Sequence, residues 1–251
     1  MAVTWQMYLI VLPLAFAAAV VDAIGGGGGL ISLPAYMLAG LPSDLASGSN
    51  KLSASFGTLV ATGRFLKSGK VLLLPALTAA ALALPGAFLG AQLMEITPER
   101  VYQLVLLIMV PVMAVIMLVR RNAPDRALKM TKTRLFFCAV IGFVVGAYDG
   151  FFGPGTGVLL VMGFSWIAGM DTVTASGSSK VVNLASNVAA LVAHFINGNI
   201  VFALAVPAMA MTAVGGYIGS VLAIRKGAKF IRLVMMGVMV LLLVKLAVDY
   251  I

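Results

Sequence analysis

The chain is 251 residues long, 62% hydrophobic and only 10% charged, with a mean hydropathy of +1.10. A soluble domain carries about a quarter charged residues, so this chain cannot cover a globule in water. The net charge of +9 would suit a phosphate backbone, but the cations lie in short loops between apolar runs. That is the ordinary result of the positive-inside bias, and nucleic acid is not an expected partner.

In chain order the sequence predicts five hydrophobic pieces, a basic stretch, and five more. The first five are 7–24, 30–39, 45–65, 71–94 and 101–119; the last two contain no charged residue. About 20 helical residues cross a hydrocarbon core of about 30 Å, so these runs read as membrane spans. No Lys or Arg precedes Lys51, and a secretory signal needs a basic start, so 7–24 reads as a retained membrane segment. Residues 120–134 carry seven charges. The second five pieces are 135–147, 158–168, 174–196, 200–223 and 230–248. Cys138 is the single cysteine, which excludes an intrachain disulfide.

The two sets of pieces are related. Ala46-Ser47-Gly48-Ser49-Asn50-Lys51 returns as Ala175-Ser176-Gly177-Ser178-Ser179-Lys180, at the offset of 129 that separates Lys51 from Lys180. The same offset aligns Gly69 with Gly198, Gly86 with Gly215 and Gly90 with Gly219. With a shift of two residues, Asp22 and the run Gly25 to Gly29 fall on Asp149 and the stretch from Gly150 to Gly157. One offset held across three segments marks an internal repeat. The expected organisation is a first transmembrane repeat over 1–120, a basic cytoplasmic linker over 121–134 and a second transmembrane repeat over 135–251.

In each half the first two pieces are odd. At about 1.5 Å per residue, 30–39 reaches about 15 Å and 135–147 about 20 Å, too short to span comfortably. A glycine-rich break separates the pair each time. Non-helical backbone at membrane depth persists only where protein or a water-lined cavity satisfies it, so each pair is predicted as a glycine-broken hairpin with its tip near the midplane. The loops then orient the halves. Arg64, Lys67 and Lys70 follow the third piece of the first half, whereas Asn197-Gly198-Asn199 follows its counterpart. After the fourth piece the bias reverses: Glu95, Glu99 and Arg100 against Arg225, Lys226 and Lys229. Equivalent loops on opposite sides signify inverted repeats. The fold class is therefore an all-α polytopic membrane protein whose halves each hold a hairpin and three spanning helices, with both termini periplasmic. Parallel 4+4 helices are the competing arrangement.

The chemistry gathers at the breaks. Unwound glycines expose N–H groups, and the helix that follows presents its positive dipole end. This makes Gly26, Gly27, Gly28, Gly153, Gly155 and Thr156 candidate anion ligands. Ser49, Asn50 and Lys51 in one half, and Ser178, Ser179 and Lys180 in the other, add hydroxyl, amide and ammonium donors. Asn183, one turn from Lys180, joins them, and Asn187 lies a further turn on. Asp22 and Asp149 precede the tips in apolar surroundings, where a carboxylate can carry a proton, neutralise a lysine or cap the backbone. Gly86, Gly90, Gly215 and Gly219 read as helix-packing glycines, and His194, alone near the end of a span, as structural. No residue spacing suits a metal or a nucleotide, and no nucleophile–base pair suits an enzyme, so no cofactor and no catalytic residue is expected.

Asp22 with its glycine run, the Ser-Gly-Ser-Asn-Lys helix opening, and Tyr-Asp-Gly-Phe-Phe-Gly-Pro-Gly-Thr-Gly from Tyr148 to Gly157 resemble the TauE/SafE family. This is the sulfite exporter or 4-toluenesulfonate uptake permease family. The resemblance covers nearly the whole chain. It implies a secondary transporter in the bacterial cytoplasmic (inner) membrane, moving sulfite or sulfonates such as sulfoacetate by alternating access. The expected partners are a small anion and the lipid bilayer, with protons and a further copy of the chain as open additions. An anion-selective channel, or a carrier of a non-sulfur organic anion, is the alternative.

Overall fold

The computed structural model describes residues 3–98, 100–102, 104, 108 and 131–249, with the side chains of 228, 232, 235, 236 and 238–249 outside the description. The fifth predicted piece and most of the basic linker therefore lie outside the described residues. Among the described residues eight helices follow one another: α1 Trp5–Gly25, α2 Gly29–Leu38, α3 Ser43–Lys67, α4 Leu73–Glu95, α5 Lys132–Phe151, α6 Thr156–Trp166, α7 Thr172–Ile196 and α8 Phe202–Asp249. Among the described residues there is no strand. α8 contains a break at Gly227 (φ 71°, ψ −163°).

Among the described residues five helices are long and apolar enough to cross a membrane: α1, α4, α5, α7 and the Phe202–Gly227 part of α8. α5 departs from the sequence reading. Residues 135–147 looked too short to span, yet the helix runs for 20 residues from Lys132 to Phe151. It continues through Asp149 because that charge is matched inside the protein by Lys51 rather than left facing lipid. α3 is also long, at 25 residues, but rich in serine. Its polar side chains are tolerated because they turn inward: Ser43, Ser47, Ser49, Ser53 and Ser55 are all buried.

α2 and α6, of 10 and 11 residues, double back along their predecessors. Leu33 and Tyr36 of α2 pack with Met7 and Val11 near the start of α1. Leu160 and Phe164 of α6 pack with Cys138 and Ile141 near the start of α5. The break in the first hairpin is narrower than the glycine run, since α1 ends on Gly25 and α2 begins on Gly29. Only Gly26 to Gly28 are non-helical. Likewise α6 begins at Thr156 and takes Gly157 into its first turn.

Glycines set the close helix pairs. A Cβ on Gly86 or Gly90 would lie 2.4 Å from the Phe143 carbonyl oxygen or 2.1 Å from that of Ala147. One on Gly215 or Gly219 would lie 2.5 Å from the Phe16 oxygen or 2.3 Å from that of Val20. α4 thus runs parallel to α5, and α1 parallel to α8, with backbones in contact. α3 and α7 run antiparallel between these pairs. Gly48 abuts Asn199 at one end, and Gly177 abuts Lys70 at the other. At that second end Phe65, Val71, Val173, Ala223 and Ile231 form one cluster, and Arg64 stacks on Tyr217. The loops bearing Arg64, Lys67 and Lys70 and Arg225, Lys226 and Lys229 therefore share one end of the molecule. Asn199 meets Glu95 at the opposite end.

Candidate functional site

Both hairpin tips end inside the protein and touch. A Cβ on Gly26 (φ 83°) would lie 2.4 Å from the Gly157 carbonyl carbon and the Val158 nitrogen, so no larger residue fits where the tips cross. Their aspartates are held by lysines from the opposite half. Lys51 Nζ is 2.8 Å from Asp149 Oδ1, and Lys180 Nζ is 2.9 Å from Asp22 Oδ2. Each lysine lies eight residues from the first residue of its helix, Ser43 or Thr172, about 12 Å along the axis. At 3% and 0% exposure they do not reach a membrane interface. A buried ammonium is costly unless paired and hydrogen-bonded, and both are.

The Lys51–Asp149 pair is the more enclosed. Asp149 Oδ1 accepts from Thr156 Oγ1 at 2.7 Å, and its Oδ2 accepts from Ser186 Oγ at 2.6 Å. Lys51 donates to Asn187 Oδ1 at 3.0 Å as well as to Asp149. In the Lys180–Asp22 pair, Asp22 Oδ2 accepts from Lys180 and, at 3.4 Å, from Asn183 Nδ2. Lys180 also donates to the backbone oxygen of Asp22, the same carbonyl that receives Gly26 N at the end of α1. Asp149 thus accepts from a lysine and two hydroxyls, and Asp22 from a lysine and an amide.

Beside these pairs lies a small, partly open cavity. Of the residues predicted for the site, Asp22, Gly27, Gly28, Asn50, Lys51, Asp149, Gly153, Thr156 and Asn183 line it. Gly27 and Gly28 lead into the amino end of α2, where Leu30 N donates to Gly27 O at 3.0 Å and Ile31 N to Gly28 O at 2.9 Å. The Asn50 side chain is 6% exposed and its Oδ1 has no hydrogen-bond partner.

The other predicted residues lie elsewhere. Ser49 Oγ accepts from Val201 N, and Ser178 Oγ accepts from Leu72 N, both at a helix–loop junction. Ser179 donates to Ser176 O within its own helix. Gly26 is packed against Gly157, Gly155 supplies the left-handed residue before α6 (φ 86°), and Lys180 sits behind Asp22. His194 is buried, 3.2 Å from Ser47 Oγ.

Ser32, Thr58, Asn187 and Thr212 also line the cavity. Asn187 Nδ2 bonds Asn183 Oδ1 at 3.3 Å and Thr58 Oγ1 at 3.5 Å. The offset of 129 that relates the lysines also relates Thr58 to Asn187, so extending the repeat two turns beyond Lys51 would have found it. Nothing local marks Thr212, whose hydroxyl bonds Ser53 O at 2.6 Å.

Comparison with known proteins supplies the context for this pocket. The family model described as Sulfite exporter TauE/SafE matches residues 11–246. A "Probable membrane transporter protein ORF9" from Sinorhizobium is 33% identical over 235 residues, 94% of this chain and 90% of the relative. A "Probable membrane transporter protein" from Haemophilus influenzae is 31% identical over 217 residues, 86% and 85% of the two chains. The "Probable membrane transporter protein YfcA" of Escherichia coli K12 is 30% identical over 235 residues, 94% and 87%. No solved structure matches the chain.

Proposed function

Because this chain belongs to the Sulfite exporter TauE/SafE family of bacterial multi-pass membrane transporters, we propose that it is a secondary transporter of small sulfur-containing anions, sulfite or sulfonates, which occupy the cavity beside the crossed hairpin tips. The observation that carries this reading is Lys51, buried at 3% exposure in the cavity wall and already paired with Asp149. An ammonium in the apolar interior needs a counter-charge at every stage of a transport cycle. Asp149 serves when the cavity is empty; the cargo anion serves when it is full. Asn50, Asn183 and Asn187 add hydrogen bonds, several modest ones rather than one clamp. A carrier must release what it binds, and a compact ammonium suits that better than the bidentate fork of arginine.

The same exchange couples transport to protons. When the anion takes Lys51, Asp149 loses its ion-pair partner, which makes it the first candidate to carry the coupled proton. Asp22, at 20% exposure in the cavity wall, is the second candidate for that role. Catalysis has no part in the cycle.

The two halves act as inverted repeats, 1–120 and 135–251, joined by the basic segment 121–134. The basic end described above then faces the cytoplasm by the positive-inside bias, and the protein resides in the inner membrane. Alternating access follows from rocking one half against the other about the crossed tips. Counterflow in proteoliposomes is the test. Exchange of labelled for unlabelled sulfite or sulfoacetate without steady current is the expected result; a sustained anion current with no exchange coupling would make the protein a channel.

A further inference from the structure

Resting on the transporter reading above, we infer that the cargo path runs between α3 and α7 and is gated at its Glu95 end by the contact of Ser47 with His194. Ser47, Lys51, Ala54, Thr58 and Phe65 share one face of α3 by helical spacing. Ser176, Lys180, Asn183, Asn187 and His194, each 129 positions later, make the same stripe on α7. The stripes face one another, since Lys51 donates to Asn187, and Asn187 to Thr58. Lys51, Ala54, Thr58, Asn183 and Asn187, at their middles, line the cavity.

The ends of the stripes shut it. One turn beyond Lys51, Ser47 Oγ lies 3.2 Å from Nε2 of His194, two turns beyond Asn187. At the basic end Phe65 crosses the start of α7, where a Cβ on Gly177 would lie 2.8 Å from its Cδ1. Ser47, Phe65, Ser176 and His194 are all buried. Each closure is held by the same clasp. Ser49 takes Val201 N and Gly48 abuts Asn199, while Ser178 takes Leu72 N and Gly177 abuts Lys70. A carrier that exposes the cavity at either end must undo the clasp there.

The clasps correspond, but the plugs differ. His194 Nδ1 is buried without a hydrogen-bond partner. Asn199, which donates its N–H to the His194 carbonyl, also bonds Glu95. Water entering at that end would satisfy the imidazole, and an unpaired buried nitrogen is costly. Phe65 instead belongs to an apolar cluster with Ile24, Ala223 and Ile231, and parting it would expose hydrocarbon to water. The His194 closure is therefore the looser gate.

Counterflow of labelled sulfite by the purified full-length protein in proteoliposomes tests this, in a Cys138→Ala background. Ser47→Cys puts a thiol beside His194, and a soft metal ion such as Cd²⁺ bridges thiolate and imidazole. Cd²⁺ should stop counterflow in Ser47→Cys, and EDTA should restore it. Ser47→Cys/His194→Phe should be indifferent to the metal. Binding of Cd²⁺ is read from the thiolate–metal absorption. Metal bound with counterflow undiminished would mean that the contact need not part, and would overturn the gate. Failure of the folded variant to bind the metal would place Ser47 and His194 apart and overturn it equally. If Ser47→Cys does not fold, Ser47→His with Zn²⁺ is read the same way. His194→Phe alone, which copies Phe65, should slow counterflow without weakening sulfite binding; a rate at or above wild type would overturn the ranking of the two ends. Absence of sulfite or sulfonate counterflow in the wild-type protein would overturn the transporter reading itself, and this inference with it.

Discussion

The two lysine–aspartate pairs stand at corresponding points of the chain and are built to different standards. Lys51–Asp149 is closed in by Thr156, Ser186 and Asn187, with both partners at 3% exposure or less. In Lys180–Asp22 the lysine is wholly buried, but the carboxylate keeps 20% exposure at the cavity. The first arrangement satisfies every charge yet leaves Lys51 at the wall where an anion can reach it. The second spends its lysine on the backbone of α1 and leaves the carboxylate accessible. Similar sequence thus produced one pair suited to holding cargo and one suited to holding a hairpin.

The largest effect expected from breaking this comparison is on stability. Removing one partner of a buried pair costs about 3–5 kcal/mol, because the remaining charge is stranded. Asp149→Ala should lose about that much, seen as a large fall in Tm in detergent. Asp22→Ala should lose less, since Lys180 keeps the Asp22 backbone oxygen and its site is nearer solvent. Equal falls would mean that the two pairs are energetically alike after all.

Ligand affinity sharpens the contrast next. Lys51→Met should weaken sulfonate binding by about 1–3 kcal/mol, the range for a charge-assisted contact, as read by calorimetry. Lys180→Met should change affinity by less while lowering Tm. A larger affinity loss at Lys180 would reverse the roles assigned to the two lysines.

The carboxylates can also be compared by their proton work. Asp149→Asn and Asp22→Asn keep the size of the side chain and most hydrogen-bonding capacity. Each should flatten the pH dependence of uptake in proteoliposomes. Wild-type pH profiles in both variants would reduce the aspartates to structural partners of the lysines.

A smaller difference separates the helices that carry the lysines. α7 starts on Asp171, whose carboxylate accepts from Val173 N at 3.1 Å and Thr174 N at 3.0 Å. α3 starts after Pro42, without a side-chain cap. Asp171→Ala should cost about 1 kcal/mol, and Pro42→Ala less, in the same thermal assay. Cysteine labelling of Ser68→Cys and Gly198→Cys tests the orientation of the halves; Gly198→Cys should cost about 1 kcal/mol, because Gly198 has a left-handed backbone (φ 75°). Reaction from opposite sides of the membrane is expected; labelling of both from one side would exclude the inverted arrangement.

Much of this molecule is legible in one dimension. Uncharged runs longer than a bilayer is thick have no soluble solution, so the membrane class follows from composition. Glycine runs cannot continue a helix through a membrane without support, so the two breaks announce themselves, and α2 and α6 are short enough to require a return. The recurrence of Ser-Gly-Ser before Lys51 and Lys180 marks both lysines, and the carboxylates beside the breaks mark their partners. Which lysine meets which aspartate is a different matter. That depends on the crossing of the tips at Gly26 and Gly157, a contact between residues more than a hundred positions apart. Packing also decided that Ser49 and Ser178 serve loop amides, and that the 135–147 helix extends to Phe151 once Lys51 neutralises Asp149. It decided as well that Lys51 reaches the cavity while Lys180 is buried behind Asp22. Local sequence determines what a segment can do in a membrane. Only the close approach of backbones, set by where each glycine finds its neighbour, determines which equivalent residues remain free to meet a ligand.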